Sequence, residues 1–253
     1  MKKLFITVSL VFLGGISVLS AQTKLIAHRG YWDCEGSAEN SIAALVAAHK
    51  VNSYGSELDV IITADGIPVV HHNDEAEGGI RIEDATYDQL KHIRLKNGEH
   101  IPTFEEYIQK LQSIPDMKLI VEIKPHKRIV NEDRAVNAVV ALIEKYQLQD
   151  RADYISFSMN ICKELVERVP YASVAYLKGE VSPADLKTLG MDMDYQYKVF
   201  EKHPTWIKEA KELGVKVNTW TVNDTTAMKS LIEQGVDFIT TNAPLEFNEL
   251  MKK

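Results

Sequence analysis

Short apolar runs rich in β-branched residues recur along the chain at 24–27, 60–62, 67–70, 118–124, 154–158, 172–177, 191–195, 215–222 and 237–241. Between them, segments at 37–53, 103–114, 131–146, 160–169, 183–189, 204–213, 225–234 and from 244 onward carry apolar residues at helical spacing. Their ends carry the expected signals. Ser37 or Asn40 can cap the first helix, Thr103 stands three residues before Glu106 as in a capping box, and Gly214 follows its helix as a C-cap would. Asp65-Gly66 between two apolar runs predicts a tight hairpin turn. Setting that returning run aside, eight strands are each followed by a helix, which predicts an α/β fold of the (β/α)8 TIM barrel type. An open doubly wound sheet is the competing architecture, but no Gly-rich phosphate loop accompanies the pattern. The stretch 74–104 has little periodicity beyond a short helical pattern at 87–93 and is too long for a plain crossover. It predicts a small insertion after the second strand.

Composition narrows the setting. A chain of 253 residues with 45% hydrophobic and 26% charged content can bury one large core. Lys2 and Lys3, an apolar run from Leu4 to Leu19 and small residues at Ser20 and Ala21 have the layout of a cleaved secretory signal peptide over 1–21, leaving a single domain at 22–253. The run is short for a membrane span and contains Gly14, Gly15 and Ser17, so no stable membrane anchor is expected. Cleavage removes two lysines and no acid, taking the net charge from −7 to −9. An acidic, exported protein, periplasmic or secreted, follows. Nucleic acid is excluded as a partner, because phosphate-backbone binding needs a basic surplus. Cys34 and Cys162 can pair in an oxidising compartment or stay as separate thiols.

Chemistry-bearing residues gather at the ends of the predicted strands, where barrels place their active sites. Glu57 and Asp59 are two apart on one strand, so both carboxylates share a face while Leu58 and Val60 turn away. Glu122 joins them from the next parallel strand, giving three hard oxygen ligands suited to Ca²⁺ or Mg²⁺. His28 and His72 can stand on either side of a substrate as a general acid and base. By the strand period His71 faces away from His72 and has no assigned role. Arg29 and Lys124 supply charge for an anion such as a phosphodiester, and Trp220 is a candidate apolar wall.

These residues carry a resemblance. His28-Arg29-Gly30, Glu39-Asn40, Glu57-Leu58-Asp59-Val60, Asp65-Gly66, Pro68-Val69-Val70-x-His72, Glu122-Ile123-Lys124 and Thr219-Trp220-Thr221-Val222 resemble, in sequence and order, the glycerophosphodiester phosphodiesterase family. The resemblance implies a barrel with a small insertion and hydrolysis of a glycerophosphodiester to glycerol phosphate and an alcohol. It also implies Glu57, Asp59 and Glu122 as ligands of a divalent metal, Ca or Mg, His28 and His72 as the acid/base pair, and Arg29 and Lys124 as phosphate contacts. The chain departs from the pattern at Asn73, where the family usually has Asp after the histidine. That departure leaves an alternative, an exported non-catalytic phosphodiester-binding protein on the same fold. An amidohydrolase-type barrel would need a His-x-His pair on the first strand, which His28-Arg29-Gly30 lacks.

Overall fold

In the computed structural model, which describes residues 22–252, the strands β1 (Lys24–Ala27), β2 (Gly55–Ile62) and β3 (Pro68–Val70) come first. The signal segment expected over 1–21 lies outside the described residues. Next come the insertion strands β4 (Glu75–Ala76) and β5 (Ile80–Arg81), then β6 (Lys118–Ile123), β7 (Ala152–Ser156) and β8 (Val174–Tyr176). The series ends with β9 (Asp192–Gln196), β10 (Val217–Trp220) and β11 (Phe238–Thr241). Among the described residues β1, β2 and β6 to β11 pair in parallel around a closed circle, with β1 bonded to both β2 and β11. The (β/α)8 barrel is therefore present, with β3 added as an antiparallel return on β2.

The helices α1 (Ile42–Lys50), α2 (Tyr87–Leu90), α3 (Phe104–Gln112), α4 (Ile129–Lys145) and α5 (Met159–Arg168) cover the first half. The second half has α6 (Pro183–Leu189), α7 (Lys198–Lys202), α8 (Trp206–Leu213), α9 (Thr225–Gln234) and α10 (Pro244–Met251). The core lies between strands and helices, where Leu58 and Val60 pack with Leu45, Tyr107 and Val136. A smaller cluster of Ile26, Ile120, Ile155, Ala175 and Leu177 fills the barrel itself. Filling that interior with side chains leaves only its carboxyl-end mouth for chemistry.

Several local expectations hold and some are corrected. Thr103 and Glu106 form the reciprocal capping box at α3, and Gly214 closes α8 in the left-handed region at φ 69°. The α1 cap is neither Ser37 nor Asn40 but Ser41, whose hydroxyl accepts from Ala44 N. Asn40 is bonded elsewhere, in the site. The short helix expected at 87–93 is a single turn, α2, and α7 was not expected at all. The insertion has its own apolar cluster of Ile82, Ala85, Leu90 and Ile101 set against Ile61 and Val69 of the β2–β3 hairpin. Cys34 and Cys162 are both free. Among the described residues no helix is long and apolar enough to cross a membrane.

Candidate active site

Strand register assembles the acids. Asp59 on β2 pairs directly with Glu122 on β6, and Glu57 lies one inward-facing position deeper on β2. One oxygen from each of Glu57, Asp59 and Glu122 lies within 4.8 Å of the others, and all three residues are buried. Glu57 Oε2 accepts from Arg29 N at 2.7 Å, while Glu57 Oε1 is buried with no hydrogen-bond partner. An orphaned carboxylate oxygen in an all-oxygen cluster is what a hard cation would satisfy. These residues could hold such an ion.

The chain just after β1 brings the basic groups. Gly30 sits at φ 74°, and a Cβ there would come within 2.6 Å of the Ala44 backbone, so only glycine allows this turn against α1. The turn aims Arg29 across the mouth, where its Nη1 donates to Glu39 Oε2 at 2.7 Å and its Nη2 to His72 Nε2 at 3.0 Å. With Nε2 accepting, His72 carries its proton on Nδ1 and donates it to Asp59 Oδ1 at 3.1 Å. The acid beside His72 is thus Asp59, and Asn73 offers its backbone carbonyl to His71 Nδ1. Asp74 is turned to Arg81, 3.9 Å away. His28 donates from Nδ1 to Asn242 Oδ1 at 2.8 Å, which leaves its Nε2 4.0 Å from Glu57.

Two residues with no site role assigned from sequence prove central. Asn40 is buried at φ 61°, donates to Asp59 Oδ2 at 2.8 Å and accepts from Asp59 N at 3.2 Å, so it clamps the acid from both sides. Asp194 on β9 is 1% exposed, and its Oδ2 accepts from Asn218 at 2.8 Å. Its signal was an acid at an inward-facing position, alternating with Met193, on a weakly patterned strand.

The charges are strongly coupled. Burial raises the Glu57 carboxyl well above its usual range, and Asp59 and Glu122 add to the effect. Burial and Asp59 push Glu122 up to about 7, although Lys124 opposes them. Burial works in the same sense on Asp59, but the hydrogen bond from His72 and the Lys124 ammonium overcome it and hold that carboxyl well below normal. Lys124 lies 3.1 Å from Asp59 Oδ1 and 2.9 Å from Glu122 Oε1, so it stands among the acids and its ammonium form is favoured. Burial, with Arg29 nearby, lowers His28 to about 4. Burial raises Asp194 to about 8, an effect that the Asn218 bond reduces.

A mouth cavity of about 230 Å³ joins His28, Arg29, His72, Glu57 and Glu122 to an apolar side made by Phe157 and Trp220. The two rings meet edge to face at 5.5 Å, and Trp220 is anchored through Nε1 to the Asp194 carbonyl. Beyond His72 the mouth opens into a groove of about 860 Å³, bordered by Trp32, Glu39, Asn73, Glu77 and Arg94, with the insertion as one bank. The predicted residues therefore converge on one place. Asp59 and Lys124 stand behind the cavity wall, in the acid cluster.

The model of the family described as "Glycerophosphoryl diester phosphodiesterase family" matches residues 28–246. A glycerophosphodiester phosphodiesterase of Caldanaerobacter subterraneus is 28% identical over 92% of this chain and 99% of its own length. The crystal structure of a glycerophosphodiester phosphodiesterase from Parabacteroides distasonis superposes with a TM-score of 0.90 at 44% identity, covering 92% of this chain and 98% of that one. An Oleispira antarctica phosphodiesterase, solved in complex with its product sn-glycerol-3-phosphate, gives a TM-score of 0.80 at 25% identity, covering 92% of this chain and 98% of that one. Since the match runs from His28, just after the first strand, to beyond the last, the chain belongs to the glycerophosphoryl diester phosphodiesterase family.

Proposed function

We propose that the protein is an exported, metal-dependent hydrolase that cleaves a glycerophosphodiester to glycerol phosphate and an alcohol. The observation that supports this most strongly is the meeting of three buried carboxylates with His28 and His72 around one small cavity. A divalent cation, Ca²⁺ or Mg²⁺, held by Glu57, Asp59 and Glu122 would neutralise the nonbridging phosphate oxygens and lower the barrier to nucleophilic attack at phosphorus. Arg29 faces the cavity and orients the anion through its guanidinium, while Lys124 balances the acid cluster from behind and adds positive charge there. His28 and His72 each have one ring nitrogen committed to an oxygen acceptor, Asn242 and Asp59 respectively. That makes Nε2 of each the proton-handling atom, His72 Nε2 once substrate draws Arg29 Nη2 away from it: one withdraws the nucleophile's proton and the other protonates the departing alcohol. Burial keeps His28 uncharged near neutrality, a state able to accept a proton. The non-catalytic alternative rested on Asn73, and the acid paired with His72 in this geometry is Asp59 instead.

The test is a product-resolved assay over glycerophosphodiesters of choline, ethanolamine, glycerol and inositol, with and without chelator. Release of glycerol phosphate from at least one of them is expected. His28→Ala and His72→Ala should each lower kcat by roughly 10²- to 10⁴-fold. Full activity in either variant would overturn the assignment of that histidine.

A further inference from the structure

Asp194 is buried, unused by the proposed proton transfers, and incompletely satisfied. Its Oδ2 accepts from Asn218, but its Oδ1 is buried with no hydrogen-bond partner. Asn218 is in turn held by Thr240 on β11, at 3.0 Å, so the acid cannot easily swing away. Asp194 and Thr240 both line the mouth cavity, together with Glu57 and Glu122. A buried polar atom without a partner is costly to keep, so a site that retains one meets its partner in a ligand.

The chemistry of the surroundings limits what that partner is. With Glu57 and Glu122 close by, a phosphate oxygen would be repelled at Asp194. A hydroxyl would not, since it can donate to a carboxylate oxygen or accept from a carboxyl proton. Ile155, Phe157, Leu177 and Trp220 form an apolar side to the same cavity and suit the C–H edge of a short polyol. At about 230 Å³ the space is below the roughly 300–1,000 Å³ of sites for drug-sized ligands, so the group it takes is small.

We propose that Asp194, held by Asn218 and Thr240, is the hydroxyl-reading residue of this site, binding the glycerol hydroxyls of the substrate from the cavity floor. This rests on the glycerophosphodiester reading above and deepens it. The proposal makes the enzyme selective for the polyol half of its substrate at the floor, and leaves the alcohol half to the wide groove beyond His72. Asp194 also borders a void of about 30 Å³ beneath it, enough for one water, and that water is the competing partner.

The experiment compares binding of sn-glycerol 3-phosphate and ethyl phosphate, which lacks the hydroxyls, to the Mg²⁺-loaded wild type, Asp194→Asn and Asp194→Ala by calorimetry. Hydrolysis of glycerophosphoethanolamine by the wild type is measured alongside. The expected result is a wild-type preference for glycerol phosphate of about 10- to 100-fold, falling several-fold in Asp194→Asn and nearly vanishing in Asp194→Ala, with ethyl phosphate binding unchanged. Unchanged ethyl phosphate binding also shows that the variants are folded, and the wild-type preference needs no variant. No preference in the wild type, or one that survives both substitutions, overturns the proposal and leaves water as the partner. Turnover with such an unmoved preference overturns the floor assignment alone. An Asp194-dependent preference without turnover supports the floor and contradicts the enzymatic reading. Absence of both turnover and binding overturns both.

Discussion

Replacing Glu122 with Gln should make the cation-free protein more stable, although it removes a strand-end residue bonded to Lys124. Burial and the neighbouring Asp59 raise the Glu122 carboxyl from 4.5 to about 7, with the opposing pull of Lys124 already included. At about 1.4 kcal/mol per pH unit, that displacement corresponds to roughly 3 kcal/mol. The sign follows from linkage. The unfolded chain releases this proton near pH 4.5 and the folded chain only near 7, so stability falls as pH rises between them. Above pH 7 the whole penalty is present, and neutral Gln removes it. For a chain of this size, roughly 2–4 °C per kcal/mol gives Glu122→Gln a Tm about 6–12 °C above the wild type at pH 8 in chelator. Ca²⁺ or Mg²⁺ at about 1,000 times its Kd should reverse the order, since it adds roughly 4.1 kcal/mol to the wild type and little to the variant. Scanning calorimetry at pH 6 and pH 8, with chelator and with cation, measures all of this. An equal or lower Tm for Glu122→Gln in chelator would refute the reasoning that these acids are strained against one another.

Other outcomes follow from individual contacts. His28 titrates near 4 when folded and near 6.5 when unfolded, so its contribution is complete above 6.5 and is lost as pH falls toward 4. The Tm difference between wild type and His28→Gln should therefore change over pH 4 to 6.5, opposite in sign to the Glu122 slope, and a difference independent of pH would contradict it. Gly30→Ala forces a Cβ to 2.6 Å from Ala44 at φ 74°, and should cost about 2–4 kcal/mol in denaturant unfolding. Asn40→Ala removes both bonds to Asp59, one of them to its carboxylate, and should cost about 3 kcal/mol or more by the same measurement, together with weaker cation binding by calorimetry.

What could be read from the sequence divides along physical lines. The parallel strands are buried on both faces and read as plain apolar runs, and the period of two on β2 is enough to put Glu57 and Asp59 on the barrel side. The partnership of Asp59 with Glu122 needed only adjacent parallel strands. Asn40 was harder, because Asn is a good helix cap by type and stands directly before Ser41, the residue that does the capping. Only the fold brings it to Asp59, nineteen positions away. The same holds for His72: the residue after it drew attention, but its acid partner sits thirteen positions earlier, across the hairpin. Asp194 lay on a strand too polar to stand out, and the insertion is built from a small cluster and a two-strand hairpin that carry no long period.

The most direct test of the central claim follows cation occupancy and hydrolysis in one titration. Chelated wild-type protein is titrated with Ca²⁺ or Mg²⁺ while binding and release of sn-glycerol 3-phosphate from glycerophosphoethanolamine are read together, with Glu57→Gln beside it. The account predicts no release in chelator, a rate that rises in step with a single bound equivalent, and neither binding nor release in Glu57→Gln. A rate that stays level from the chelated to the saturated protein would contradict it.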